Sequence, residues 1–319
     1  MGRIRWFITA LAPVLWGTMP LAASEATGPG HPLFIATVRS LGAGLMLLAL
    51  FRRLPPRAWL GRIVVLGTVN ISLTFGLFFV SASHLPGGMI TIFMALAPFW
   101  AALLSWPLLG QPVRAGRLVL IAFCVLGVAL LVRASPAALN PVGVLAGLGA
   151  SAAMGCGIVL FRKWSRPDTL LVFTGWQLLA GGVFLAAATV WFEPLPAQLG
   201  LRNGFALGYL VLAATIVAYG LWFRGIEQLG VQRTSMLLLL VPMVGLAVDI
   251  VWLGKPLTAW QAVGAAIVLG GLVLDAMAAQ RSQRASRLDE QRVKTDGAPQ
   301  STALSASSAS SAQKCERVD

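Results

Sequence analysis

Charge is scarce in this chain of 319 residues: 11% of positions are charged, 11 residues are Asp or Glu, and 57% are apolar. An average globular protein carries about 25% charge, so a soluble fold with an ordinary polar surface is excluded, and a soluble enzyme with it. Reactive side chains are equally sparse. The three cysteines (Cys124 and Cys156 in apolar runs, Cys315 in a polar stretch) and the two histidines (His31 and His84) give no obvious disulfide and no zinc-ligand spacing. No metal and no cofactor is expected. The sequence holds no phosphate-binding P-loop, no Gly-x-Ser-x-Gly elbow and no His-Glu-x-x-His pair, which removes an ATP-driven pump and the commonest hydrolases. It also lacks the acidic ring or filter-like loop of a channel.

What fills the chain instead is apolar sequence in long runs, at a mean hydropathy of +0.81. A helix needs about 20 such residues to cross a hydrocarbon layer of about 30 Å. Candidate spans cover about 5–24, 32–51, 62–82, 86–109, 115–134, 140–162, 169–192, 205–225, 232–253 and 259–278, so the expected fold is an all-α polytopic membrane protein of ten transmembrane helices. Gly28-Pro29-Gly30, Pro55-Pro56, Pro86-Gly87-Gly88 and Asn140-Pro141 punctuate the joints. The first run, behind Arg3 and Arg5 and ending in Ala22-Ala23-Ser24, also has the outline of a secretory signal. It is longer than the 7–15 apolar residues of such a signal, and its loss would leave nine helices.

The net charge of +13 comes from 24 Lys and Arg, but these lie in short clusters between apolar runs rather than on one patch, so nucleic acid is not the expected partner. They mark orientation, because cytoplasmic loops are enriched in Lys and Arg. With ten spans, one side receives Arg3, Arg5, the Arg52–Arg62 cluster, Arg114, Arg117, Arg162, Lys163, Arg166, Arg224 and Arg233; the other receives Arg133, Arg202 and Lys255. Both termini are expected in the cytoplasm. From 279 to 319 the sequence turns to Ser, Ala, Gln, Arg and Asp, too polar to bury a core, and is expected to be a disordered cytoplasmic tail. Its Arg281, Arg284 and Arg287 stand where they can touch anionic membrane lipid.

The chain repeats itself. A shift of 144 residues sets Pro98 on Pro242, Gly110-Gln111-Pro112 on Gly254-Lys255-Pro256, Gly76-Leu77 on Gly220-Leu221 and Gly127 on Gly271. A shift of 138 sets Trp16-Gly17 on Met154-Gly155 and Arg39 on Gln177. Residues 1–138 and 139–278 then form five-helix repeats, and because five is odd the second is inverted in the membrane. Inverted repeats are the plan of many secondary transporters, whose site lies near the midplane between the halves.

The Trp16-Gly17 pair, Arg39 in the second helix, and a Pro about a dozen residues before Gly110 and Gly254 in helices four and nine resemble the EamA family of the drug/metabolite transporter superfamily. The resemblance covers about residues 5–278. It implies a bacterial inner-membrane carrier that exports small metabolites or drugs. One departure stands out: family members commonly end helices four and nine with Gly-Glu, where this chain has Gly110-Gln111 and Gly254-Lys255.

Residues that could carry transport follow from the repeat. Pro98 and Pro242 each delete a backbone hydrogen bond and are candidate hinges. Asn70 and Thr74 lie one turn apart in helix three, as do Thr215 and Tyr219 in helix eight. With Trp16 and Gln177 they are the expected lining of a central cavity for a small neutral, zwitterionic or amphipathic molecule; the bland alternative is helix-to-helix hydrogen bonding. Arg39 and Asp249 are ionisable groups inside spans, functional candidates by default. Arg39 lies about 10 Å into its helix at 1.5 Å per residue, and either faces the bundle or snorkels to the surface. Asp249 either pairs with a cation, is solvated at the outer mouth, or serves protons as a coupling ion.

Overall fold

The computed structural model describes residues 2–27, 30–110, 115–133, 140–164, 166–229, 234, 237–254, 258–271, 273–274 and 277. Among these residues ten helical segments follow one another without a strand: α1 (Ile4–Gly17 plus Met19–Thr27), α2 (Pro32–Phe51), α3 (Arg57–His84), α4 (Gly87–Leu109), α5 (Ala115–Arg133), α6 (Pro141–Lys163), α7 (Leu170–Phe192), α8 (Leu201–Leu229), α9 (Leu240–Val251) and α10 (Ala259–Gly271). Six are long and apolar enough to cross a membrane, or seven with the bent pair of α1. Residues Met1–Asp275 pack as one compact unit. The tail 279–319, Gln111 and Lys255 lie outside the described residues.

Helix ends show why the sequence divides here. Asn140 caps α6, accepting from the Val142 amide at 2.9 Å ahead of Pro141 in the first turn, where its missing N–H costs nothing. Gly110 and Gly254 hold φ of 67° and 60° after α4 and α9, the left-handed conformation in which glycine closes a helix. The first amides of α2 are taken by α7: Glu193 accepts from Leu33 at 2.7 Å and from Phe34 at 2.9 Å.

Five spans are not regular α-helices throughout. α1 bends by 43° between Gly17 and Met19, with Pro20 just beyond the break. α4 loses its α turn at Ala95–Leu96, immediately before Pro98, and α9 follows a 3-10 turn at Leu237–Leu239, three residues before Pro242. Within α3 and α8 the backbone widens into π turns at Gly67–Leu73 and Leu212–Val217. Such turns leave backbone carbonyls open to side chains and occur at functional sites. Nothing in the apolar periodicity announced them.

Contacts between helices carry the symmetry. A Cβ on Gly17 in α1 would collide with the Val241 carbonyl and Val244 of α9; one on Gly155 in α6 would collide with the Ala97 carbonyl and Trp100 of α4. These are the same contact, shifted by 138 on one partner and 144 on the other. α2 and α7 pack through a reciprocal pair: Gly44 meets Leu179, and Gly182 meets Leu41. Stepping back along α2 moves forward along α7, so the two run antiparallel. α5 and α10 repeat the pattern, with Gly127 against Val268 and Gly271 against Cys124. Other packed pairs exchange likewise, α1·α8 with α6·α3 and α1·α9 with α6·α4. A two-fold operation that exchanges antiparallel neighbours has its axis across the helices, in the plane of a membrane. The five-helix repeats are inverted.

Without a hydrophobic drive between helices in lipid, such close backbone approaches hold the bundle together. Gly44→Leu should therefore cost about 1–3 kcal/mol by overpacking, whereas Gly61→Leu, where an added Cβ meets nothing, should stay within about 0.5 kcal/mol. Thermal unfolding in detergent compares the two; equal midpoints would remove the α2–α7 seam from the stability argument.

Candidate functional site

The π turn of α8 faces α2, and there four of the sequence-predicted residues meet: Trp16, Arg39, Thr215 and Tyr219. Arg39 is 1% exposed, so the snorkelling alternative is overturned: the guanidinium points into the bundle rather than out of it. Its Nε donates to Thr215 Oγ1 at 2.8 Å and its Nη2 reaches the Ala214 carbonyl at 3.4 Å. Thr215 Oγ1 in turn donates to Leu210 O at 2.7 Å, five residues back, as the wide turn allows. The Ala214 carbonyl also accepts from Trp16 Nε1 at 3.1 Å. The Phe75 ring lies under the guanidinium at 4.0 Å, a cation–π arrangement.

Aromatic rings continue this cluster. Trp16 packs edge-on against Tyr219 with centroids 5.5 Å apart and against Trp222 at 5.4 Å, and Tyr219 stacks on Phe223 at 5.6 Å. Phe75 is absent from the sequence-derived set, yet the shift of 144 sets it on Tyr219. The symmetry mates thus belong to one cluster, Phe75 on the guanidinium and Tyr219 on Trp16, and reading that register for aromatics as well as for polar residues would have found it.

The remaining polar residues form a second cluster at the symmetry-related place. Asn70 Nδ2 donates to Gln177 Oε1 at 3.2 Å, and Gln177 Nε2 donates to the Phe173 carbonyl at 3.3 Å. Asn70 leans on Gly157 of α6, where a Cβ would collide with it. Gln177 corresponds to Arg39 and Asn70 to Ala214, so one bridge between a second-repeat-position side chain and a π turn is built twice, once charged and once neutral. Thr74 is buried with its hydroxyl donating to the Val69 carbonyl at 3.1 Å, which leaves it in the wall of the π turn.

Asp249 is 3% exposed and does not pair with Arg39. Its carboxylate accepts from the Gly88 amide in the first turn of α4, where an N-terminal dipole favours a negative group. Seven residues before it on the same helix, Pro242 is buried, and Pro98 is half-buried at the matching place in α4. Ser105, the counterpart of Asp249, donates to its own Ala101 carbonyl at 2.7 Å. No group of metal ligands occurs among the described residues.

The folded chain is thus a polytopic helical membrane protein of two inverted repeats with a buried polar seam between them, an architecture shared by many secondary transporters. The profile of the EamA-like transporter family matches residues 4–133 and 141–276, one match per repeat, and the chain belongs to that family. Protein PecM of Dickeya dadantii is 37% identical over 265 residues, 82% of this chain and 89% of PecM. A protein named as a probable amino-acid metabolite efflux pump in Salmonella typhimurium is 25% identical over 296 residues, 86% of this chain and 95% of the pump. A solved crystal structure, 22% identical, superposes with a TM-score of 0.60 over 88% of this chain and 98% of its own, and so shares the fold.

The Asn70–Gln177 bond can be weighed directly. A double-mutant cycle of Asn70→Ala and Gln177→Ala, read by unfolding in detergent, should give a coupling near 0.6 and below about 1.7 kcal/mol, the range for hydrogen bonds between membrane helices. Strict additivity would assign both residues to separate packing sites.

Proposed function

We propose that the protein is a secondary carrier that exports a small neutral, zwitterionic or amphipathic metabolite or drug across a bacterial inner membrane by alternating access, with both termini in the cytoplasm. The observation that carries this reading is the reciprocal, antiparallel packing of α2 on α7 with the Arg39 and Asn70–Gln177 clusters beside it: two inverted halves with a polar seam between them can expose it to either side. Export is supported by the efflux pump among its relatives. The sorting of loops into two faces is supported by ion pairs that join only loops of one expected side, Arg53 with Asp168 at 3.0 Å and Arg202 with Glu25 at 2.6 Å, and the excess of Lys and Arg on the first of these faces supports its being cytoplasmic.

In this reading Trp16, Thr215, Tyr219, Asn70 and Gln177 border the pathway, and Pro98 and Pro242 are the points about which α4 and α9 bend. Asp249 serves as a latch holding the outer ends of α4 and α9 together, in preference to a proton-coupling group, because an amide already occupies its carboxylate.

Reconstitution tests the carrier. Purified protein in liposomes preloaded with members of a metabolite and drug panel should show saturable counterflow of at least one. Unsaturated flux would mean a channel-like facilitator, and no flux of any compound would return weight to an intramembrane enzyme. The latch has its own measurement. A pocket of about 70 Å³ lined by Ala23, Ser24, Pro32, Ile35, Phe79, Ala82 and Ser83 lies at the end expected outside. With Ala82→Cys as the sole cysteine, Asp249→Ala should raise its labelling rate by about tenfold, since a hydrogen bond to a charged group is worth about 1.5–3 kcal/mol. Under an imposed proton gradient, Asp249→Asn should leave the pH profile of uptake unchanged; loss of proton-driven uptake would make Asp249 the coupling group.

A further inference from the structure

Arg39 has more donors than the protein around it uses. A guanidinium offers five N–H groups in a planar fork and no acceptor. Thr215 Oγ1 and the Ala214 carbonyl take Nε and Nη2, the side-on edge of that fork, and both are uncharged. Nη1 is buried and finds no hydrogen-bond partner among the described residues, so the end-on edge, formed by Nη1 with the second hydrogen of Nη2, is left over. Carboxylates that could have answered it are committed elsewhere: Glu193 to the first amides of α2, Asp249 to the first turn of α4.

The symmetry-related position shows that the fold does not require this charge. Gln177 occupies it with a neutral amide whose oxygen accepts from Asn70 and whose nitrogen donates to Phe173 O. A bridge from the second helix of a repeat to a π turn is therefore available without a cation, and Arg39 adds to the same bridge one positive charge and one unoccupied donor pair. Phe75 covers the face of the guanidinium at 4.0 Å, Trp16 shares the Ala214 carbonyl with it, and Tyr219 packs on Trp16, so an aromatic cluster adjoins the charge.

We propose that Arg39 is the anchor for a carboxylate of the transported molecule, bound two-pronged on the end-on edge of the guanidinium. Phe75, Tyr219 and Trp16 receive the aromatic or apolar body attached to it. Planar pairing of this kind is what an arginine offers and a lysine does not. Thr215 is a positioning residue: it fixes the side-on edge and so aims the other. The assignment rests on the carrier reading and narrows it to small organic carboxylates, zwitterions among them.

Full-length protein in phosphatidylcholine nanodiscs is titrated with 3-phenylpropionate and with its uncharged amide, 3-phenylpropionamide, following quenching of tryptophan fluorescence and the unfolding midpoint. The acid should bind at least tenfold more tightly than the amide. Arg39→Gln should lower acid binding at least tenfold and erase the preference, Arg39→Lys should retain part of it, and Thr215→Val should weaken acid binding a few-fold without touching the amide. No acid binding by the wild type, equal binding of acid and amide, or a preference that survives Arg39→Gln overturns the proposal. Should Arg39→Gln fail to fold, Arg39→Lys and Thr215→Val decide by the same acid-to-amide ratio. Counterflow of the acid in liposomes separates the two readings. Acid binding that depends on Arg39 without any counterflow would defeat the carrier and leave the anion site standing. Saturable counterflow of uncharged solutes alone, indifferent to Arg39→Gln, would leave the carrier and defeat the anion site.

Discussion

In lipid, apolar side chains gain little by meeting one another, so helices associate only where backbones come close enough for dense contact and polar groups find partners. The reciprocal approach of α2 and α7, glycine against leucine at both ends of one short stretch, is the contact on which the rest of this bundle is arranged. It sets the two repeats antiparallel. It also carries Arg39 and Gln177, each five residues from its glycine, to the π turns of α8 and α3, so that the polar seam is a by-product of how the halves are joined.

Burying a guanidinium there is costly: insertion scales place Arg at the centre of a span at about 2.5–3.5 kcal/mol. The structure lowers that cost with three neutral devices, a threonine hydroxyl, an open carbonyl and a ring face. The π turn makes two of them available at once. An ideal α-helix at residues 212–217 would bind its own carbonyls internally, and Arg39 would be left with the Thr215 hydroxyl as its hydrogen-bond acceptor there.

Much of this was legible beforehand. Apolar run length gave the ten segments, and the shifts of 144 and 138 gave the symmetry, because Pro98 with Pro242 and Gly17 with Gly155 are choices imposed by backbone geometry rather than by hydrophobicity. The π turns were not legible, since one extra residue in a turn leaves an apolar stretch looking the same. Missing them hid the partner of Arg39, and with it the division of Trp16, Tyr219 and Thr215 from Asn70 and Gln177. The Glu193 cap was hidden for a different reason. Its carboxylate reaches amides 160 positions away in sequence, and no local pattern carries that information.

The unlike occupants of one repeated position have an effect on the resting protein. Where α9 carries Asp249 fastened to the first turn of α4, α4 carries Ser105 bonded to its own backbone. A carrier with two identical repeats would divide its time equally between two shapes related by the two-fold axis. A fastening present at one end and missing from its counterpart skews that division, and a difference of 1.4 kcal/mol already makes it ten to one. In the alternating-access carrier proposed above, an empty molecule so weighted would rest with the fastened end shut and the opposite mouth waiting for cargo, a directional preference traced to two residues 144 positions apart.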